Sequence, residues 1–102
     1  MKDSYIVLVV GQDYDQITEW MYLKLNKEGS TAIYNKKDRK LTVSSEDFTT
    51  TYYGYSKNVD INSLQGIRAH YCIFLEGDYS SSLVNEVIKR CSRTGLISEI
   101  VK

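Results

Sequence analysis

Two stretches of this chain repeat at a constant offset. Tyr5-Ile-Val-Leu-Val-Val-Gly11 superimposes on Tyr71-Cys-Ile-Phe-Leu-Glu-Gly77 at a spacing of 66 residues. The match runs on past the glycine, with Ile17 falling on Leu83, Met21 on Val87, Tyr22 on Ile88, Lys24 on Arg90, Leu25 on Cys91 and Gly29 on Gly95. Self-similarity constrains a fold more than any composition figure, because related segments take related structures. The pattern predicts one domain over 1–102, with repeats at 4–36 and 70–102 and an insert at 37–69. Strand-turn-helix units share apolar and glycine positions by grammar alone, which accounts for part of the match.

Each copy reads as strand, helix, strand. Residues 5–10 and 71–75 are unbroken apolar runs rich in β-branched and aromatic side chains, as in strands covered on both faces or central in a sheet. The second helix carries Val84, Val87, Ile88 and Cys91 as one apolar stripe, with Ser81 or Ser82 as its cap and Gly95 as its close. The first, over 14–28, carries Ile17, Trp20, Met21 and Leu25, with Asp13 or Asp15 as the cap and Gly29 as the stop. Short strands are expected at 31–34 and 96–101. In the insert, Asn35 to Lys40 reads as a charged hairpin turn, Leu41 to Ser45 and Phe48 to Tyr55 as strands, and Lys57 to Gln65 as a loop with one helical turn in which Asn62 and Gln65 are spaced as a capping box.

The expected fold class is α+β. Two β-α-β units with an inserted β-hairpin suggest a ferredoxin-like sheet with two helices on one face, and the alternative is a small Rossmann-like α/β arrangement. Periodicity does not separate the two.

Charge narrows the function classes. Thirteen basic residues balance 13 acidic ones among 102, so the chain lacks the basic excess of general nucleic-acid binders and of polybasic membrane-surface proteins. The longest apolar run, Tyr5 to Val10, is too short to span a bilayer and follows no signal-peptide pattern, which suggests a cytoplasmic protein. Two cysteines make no disulfide framework.

The strand-glycine-helix junction invites comparison with a phosphate-binding loop, and the residues argue against one. The pattern G-x-x-x-x-G-K-[ST] needs a second glycine and a lysine, whereas the loop here reads Gly11-Gln-Asp-Tyr-Asp-Gln16. Asp13 and Asp15 would repel phosphate at the helix N-terminus, and Glu76 and Asp78 do the same in the second copy. Brought together at one sheet edge, Asp13, Asp15, Glu76 and Asp78 would be oxygen ligands suited to Mg²⁺ or Mn²⁺. A strand ending in such an acid resembles the small ferredoxin-like nucleases associated with CRISPR loci. That resemblance implies, as the alternative function, a metal-dependent nuclease or a nucleic-acid-binding protein.

Other catalytic groups are sparse. His70 is the one histidine and stands at a strand entrance, while Cys72 lies in an apolar run and Cys91 on an apolar helix stripe, where thiols pack as small hydrophobes. A disulfide would need their Cα atoms within roughly 7 Å, closer than helix-on-sheet layers usually allow, and the sequence leaves their bonding open. No cofactor is implied. The nine tyrosines are the more useful signal. In Thr49-Thr-Thr-Tyr-Tyr-Gly-Tyr55, alternation places Tyr52 on one strand face and Tyr53 and Tyr55 on the other. Such rings make rigid, amphipathic contacts, and stacking on bases would call for a positive track. The nearest cations, Lys36, Lys37, Arg39 and Lys40, are diluted by Asp38.

The leading expectation is therefore a non-enzymatic module that binds a protein or peptide in a groove or at a sheet edge between the halves, using Tyr52, Tyr53 and Tyr55. Membrane and nucleic acid are disfavoured as partners, and the oligomeric state is open to a dimer. Length, composition and the duplicated plan resemble the small orphan proteins of hyperthermophilic archaeal filamentous viruses, such as those infecting Acidianus. The resemblance implies no characterised activity, a location in the host cytoplasm and partners of viral or host origin.

Overall fold

The computed structural model describes residues 3–28, 31–64, 66–91 and 98–101. Strand β1 (Asp3–Gly11) leads to helix α1 (Tyr14–Glu28), and β2 (Ala32–Asn35), β3 (Lys40–Ser44) and β4 (Phe48–Ser56) follow. A single 3-10 turn (Ile61–Leu64) precedes β5 (Tyr71–Leu75), α2 (Ser81–Cys91) and β6 (Ser98–Val101). The expected roles of Gly29, Gly95, Gln65 and residues 96–97 fall outside the described residues.

All six strands form one mixed sheet in the order β2-β3-β4-β1-β5-β6. The charged turn closes the β2–β3 hairpin as expected: the Asn35 side-chain amide donates to an Asp38 carboxylate oxygen, and the Asp38 N–H donates back to Asn35 Oδ1. β4 then turns antiparallel to β3 and lies parallel to β1, with Tyr53 level with Leu8. β1 is also parallel to β5, and β5 to β6.

Burial along β1 decides where the helices go. Val7, Leu8, Val9 and Val10 are all buried, and alternation sends them to opposite sides. Val7 and Val9 pack with Ile17 and Met21 of α1 and with Leu41, Ile73 and Leu75. Leu8 and Val10 pack with Leu83, Val87 and Cys91 of α2 and with Leu64, Cys72 and Phe74. An unbroken apolar run needs a layer on each side. The α+β class holds, and of the two arrangements expected, the Rossmann-like one with a helix on each face is present; the helices do not share a face. The two β-α-β units also differ in reach, since β2 lies three places from β1 while β6 is adjacent to β5.

The helix starts follow local chemistry. An Asp13 carboxylate oxygen accepts the Gln16 N–H at 2.8 Å, the cap expected for α1. In α2 the cap is Ser80 rather than Ser81 or Ser82: its hydroxyl accepts the Leu83 N–H. The buried stripe is accordingly Leu83, Val87 and Cys91, with Ile88 left 40% exposed. Among the described residues no helix is long and apolar enough to cross a membrane.

Candidate nucleic-acid interface and strand-end crevice

The chain leaves β1 for α1 on one face and β5 for α2 on the other, so the carboxyl ends of these adjacent parallel strands form a topological switch point, where open α/β sheets bind ligands. Here two glutamines occupy it. The Gln12 side-chain amide donates to the Asp78 carbonyl at 2.9 Å, and the Gln16 amide donates to the Glu76 carbonyl at 2.9 Å. Gln16 Oε1 in turn accepts the Gln12 backbone N–H, and Lys57 Nζ donates to Gln12 Oε1. Gly77, at φ +142°, lies so close against the Gln12 side chain that a Cβ there would collide with it. The Tyr79 hydroxyl completes the tie by donating towards the Val10 and Leu75 carbonyls at the ends of β1 and β5. Burial raises the Tyr79 pKa, a shift opposed by its hydrogen bond with Gln12.

The same junction can be set against the phosphate-loop spacing. At the spacing G-x-x-x-x-G-K-[ST], Gln16 stands at the second glycine and Ile17 at the lysine, and Ile17 is fully buried beneath α1. Asp13 already satisfies the first helical turn. Asp13, Asp15, Glu76 and Asp78 are exposed at the same end of the sheet, yet no group of three or more His, Cys, Asp or Glu side chains among the described residues is arranged to hold a metal ion.

The other candidate residues are placed as follows. His70 Nδ1 accepts the Ile6 N–H at 3.1 Å, and its ring meets Tyr5 edge-on. Cys72 and Cys91 are thiols buried in the α2-side core. A hydrogen bond with Cys91, and burial after it, push the Cys72 thiol pKa up.

The tyrosines divide between the faces as the alternation predicts. Tyr52 packs on the α1 side against Trp20, with ring centroids 5.6 Å apart, and Lys24 lies 5.5 Å from its ring. Tyr53 and Tyr55 lie on the α2 side, and with Ile6, Ile67 and Arg68 they line an open cavity of about 240 Å³. α2 packs on β5 and the 3-10 turn, so neither helix covers this side of β2, β3 and β4. The three tyrosines do not stand at a sheet edge: β4 is an interior strand, paired on both sides, and among the described residues the sheet edges are β2 and β6.

Lys40 Nζ stands 5.8 Å from the Tyr53 ring centroid. On the α1 side of the sheet, the Arg39 guanidinium lies 3.4 Å over Tyr14. Arg39 sits at φ +50° in the hairpin turn. Among the described residues no carboxylate pairs with Arg39, Lys40 or Arg68. Burial, then the neighbouring Tyr53 and Tyr14 hydroxyls, raise the Tyr55 pKa and keep it a neutral donor. The sequence singled out Tyr53, Tyr55, Arg39 and Lys40. It missed Tyr14, Ile6, Ile67 and Arg68, which only chain reversal brings alongside.

The chain shares its fold with a stretch of phage large terminases. The large terminase of a thermophilic bacteriophage superimposes with a TM-score of 0.81 at 19% identity, over 97% of this chain and 26% of that one. The same protein in complex with ADP gives 0.79 at 19% identity, again over 97% and 26%. A variant of the large terminase ATPase domain from a Thermus phage gives 0.74 at 15% identity, over 96% of this chain and 47% of that domain. This chain thus spans about a quarter of the first terminase's length. No known protein family matches the sequence, and no curated protein does. The likeness overturns three expectations from the sequence: a peptide-binding role, a non-enzymatic one, and nucleic acid set aside as a partner. The fold is shared with part of that ATPase domain, and one neighbour was solved with ADP.

Proposed function

We propose that this chain is a nucleic-acid-binding module built on the terminase ATPase fold. The observation that carries the reading is the open side of β2, β3 and β4, where Tyr53 and Tyr55 stand between Lys40 and Arg68 with no paired carboxylate among the described residues. Aromatic rings beside a cationic track are the usual means of holding a nucleic-acid strand without reading its sequence. Net neutrality does not oppose this, because Asp13, Asp15, Glu76 and Asp78 stand at the strand-end crevice while Lys40 and Arg68 stand at the cavity. Fluorescence anisotropy with labelled oligonucleotides tests it. Affinity is expected to fall linearly with salt on logarithmic axes, with a slope of about −0.7 for each single-strand phosphate contact. Absence of salt-dependent binding to any DNA or RNA form removes the proposal.

A second reading, hydrolysis at the crevice, is favoured by one observation: Glu76 directly follows β5 beside the β1 loop, in a fold shared with an ATPase domain. Incubation with ATP, or with oligonucleotide, in Mg²⁺ or Mn²⁺ tests it. Product formation that Glu76→Gln abolishes supports turnover there, and no product under any of these conditions removes it.

A further inference from the structure

Resting on the nucleic-acid reading, we infer that the cavity between Tyr53 and Tyr55 is a seat for one unstacked base, so that the preferred ligand is single-stranded. The two tyrosines occupy alternate positions on one strand face. Their backbone separation is roughly 6.6 Å at strand rise. That is about twice the 3.4 Å rise of stacked bases. A base entering the cavity therefore lies on or between two rings, with Ile6 and Ile67 as apolar walls. A base inside a duplex has both faces stacked on its neighbours and cannot offer them to a protein ring without leaving the helix.

The charges are placed for a strand rather than for an isolated base. Arg68 lines the cavity itself. Lys40 approaches Tyr53 from the neighbouring strand. Cations on both sides of the ring pair can follow the phosphates that enter and leave the seat. An apolar peptide would leave these two cations uncompensated, whereas a phosphodiester backbone neutralises them.

The test is anisotropy with a short labelled single strand, the same sequence closed into a hairpin duplex, and a single strand carrying abasic sites. The unmodified single strand is expected to bind at least about tenfold tighter than the other two, as befits one or two stacked bases. Tyr53→Leu and Tyr55→Leu are each expected to weaken single-strand binding by about 5- to 160-fold, and Tyr53→Phe and Tyr55→Phe to stay within about twofold because the ring remains. Arg68→Gln is expected to reduce the salt slope by about one phosphate contact. Equal affinity for the abasic strand or the duplex overturns the base seat without relying on any variant. Leu variants that keep parental circular dichroism and parental affinity overturn it too. In both cases salt-dependent binding that persists leaves the nucleic-acid reading standing, and loss of binding to every form removes both.

Discussion

At Tyr34 the hydroxyl is buried with no hydrogen-bond partner among the described residues, while the ring packs edge-on against Tyr22 with centroids 5.2 Å apart. A buried, unmade hydrogen bond costs about 1–3 kcal/mol of desolvation. Tyr34→Phe keeps the ring and removes that cost, so a gain of about 1 kcal/mol is expected in urea unfolding. A loss of stability would mean that the hydroxyl has a partner. Single residues were readable in the sequence where their chemistry is local. Asp13 caps a turn three residues away, and Tyr53 and Tyr55 share a face because the strand period is two. Gln12 and Gln16 could not be read that way. Their acceptors, the Asp78 and Glu76 carbonyls, lie 66 and 60 residues on, and nothing in a glutamine's neighbours in sequence announces a distant carbonyl.

Elements fared better than the contacts between them. The unbroken apolar run of β1 announced a strand with both faces covered, and the spacing of Ile17, Met21 and Leu25 announced a helix. Which helix would cover which face depends on the sheet order, and that is set by long-range pairing such as β4 alongside β1. Gly54 shows how closely the elements then fit. It lies in β4 under α1, and a Cβ built there would stand 2.5 Å from Ile17 Cγ2. Ile17 is fully buried and has no free volume to move into. Gly54→Ala is expected to cost roughly 1–3 kcal/mol by overpacking, read as a lower denaturation midpoint with the denaturant slope unchanged. Unchanged stability would show that α1 can lift from the sheet at little cost.

Over the whole molecule, the tyrosines that serve as ties and platform also couple stability to pH. Tyr79 joins the ends of β1 and β5, and Tyr55 sits in β4 beside β1 at the edge of the α2-side core. Both phenols have pKa values raised above 10.0, chiefly by burial. The sign follows from linkage. The unfolded chain releases these protons near the ordinary tyrosine value, while the folded chain holds them to higher pH, so the unfolded state binds fewer protons in that interval and stability falls with rising pH. The neutral phenols contribute fully below about pH 10 and lose that contribution as pH climbs towards the raised folded values. Urea midpoints are therefore expected to drop with increasing pH above about 10. The Tyr55→Phe, Tyr79→Phe double variant, with no phenol to ionise at either place, is expected to show a shallower drop from a lower starting stability. Ultraviolet difference titration of the parent should show two late-titrating phenols. An equal alkaline slope in parent and double variant would place the pH dependence in other groups and detach these tyrosines from the linkage.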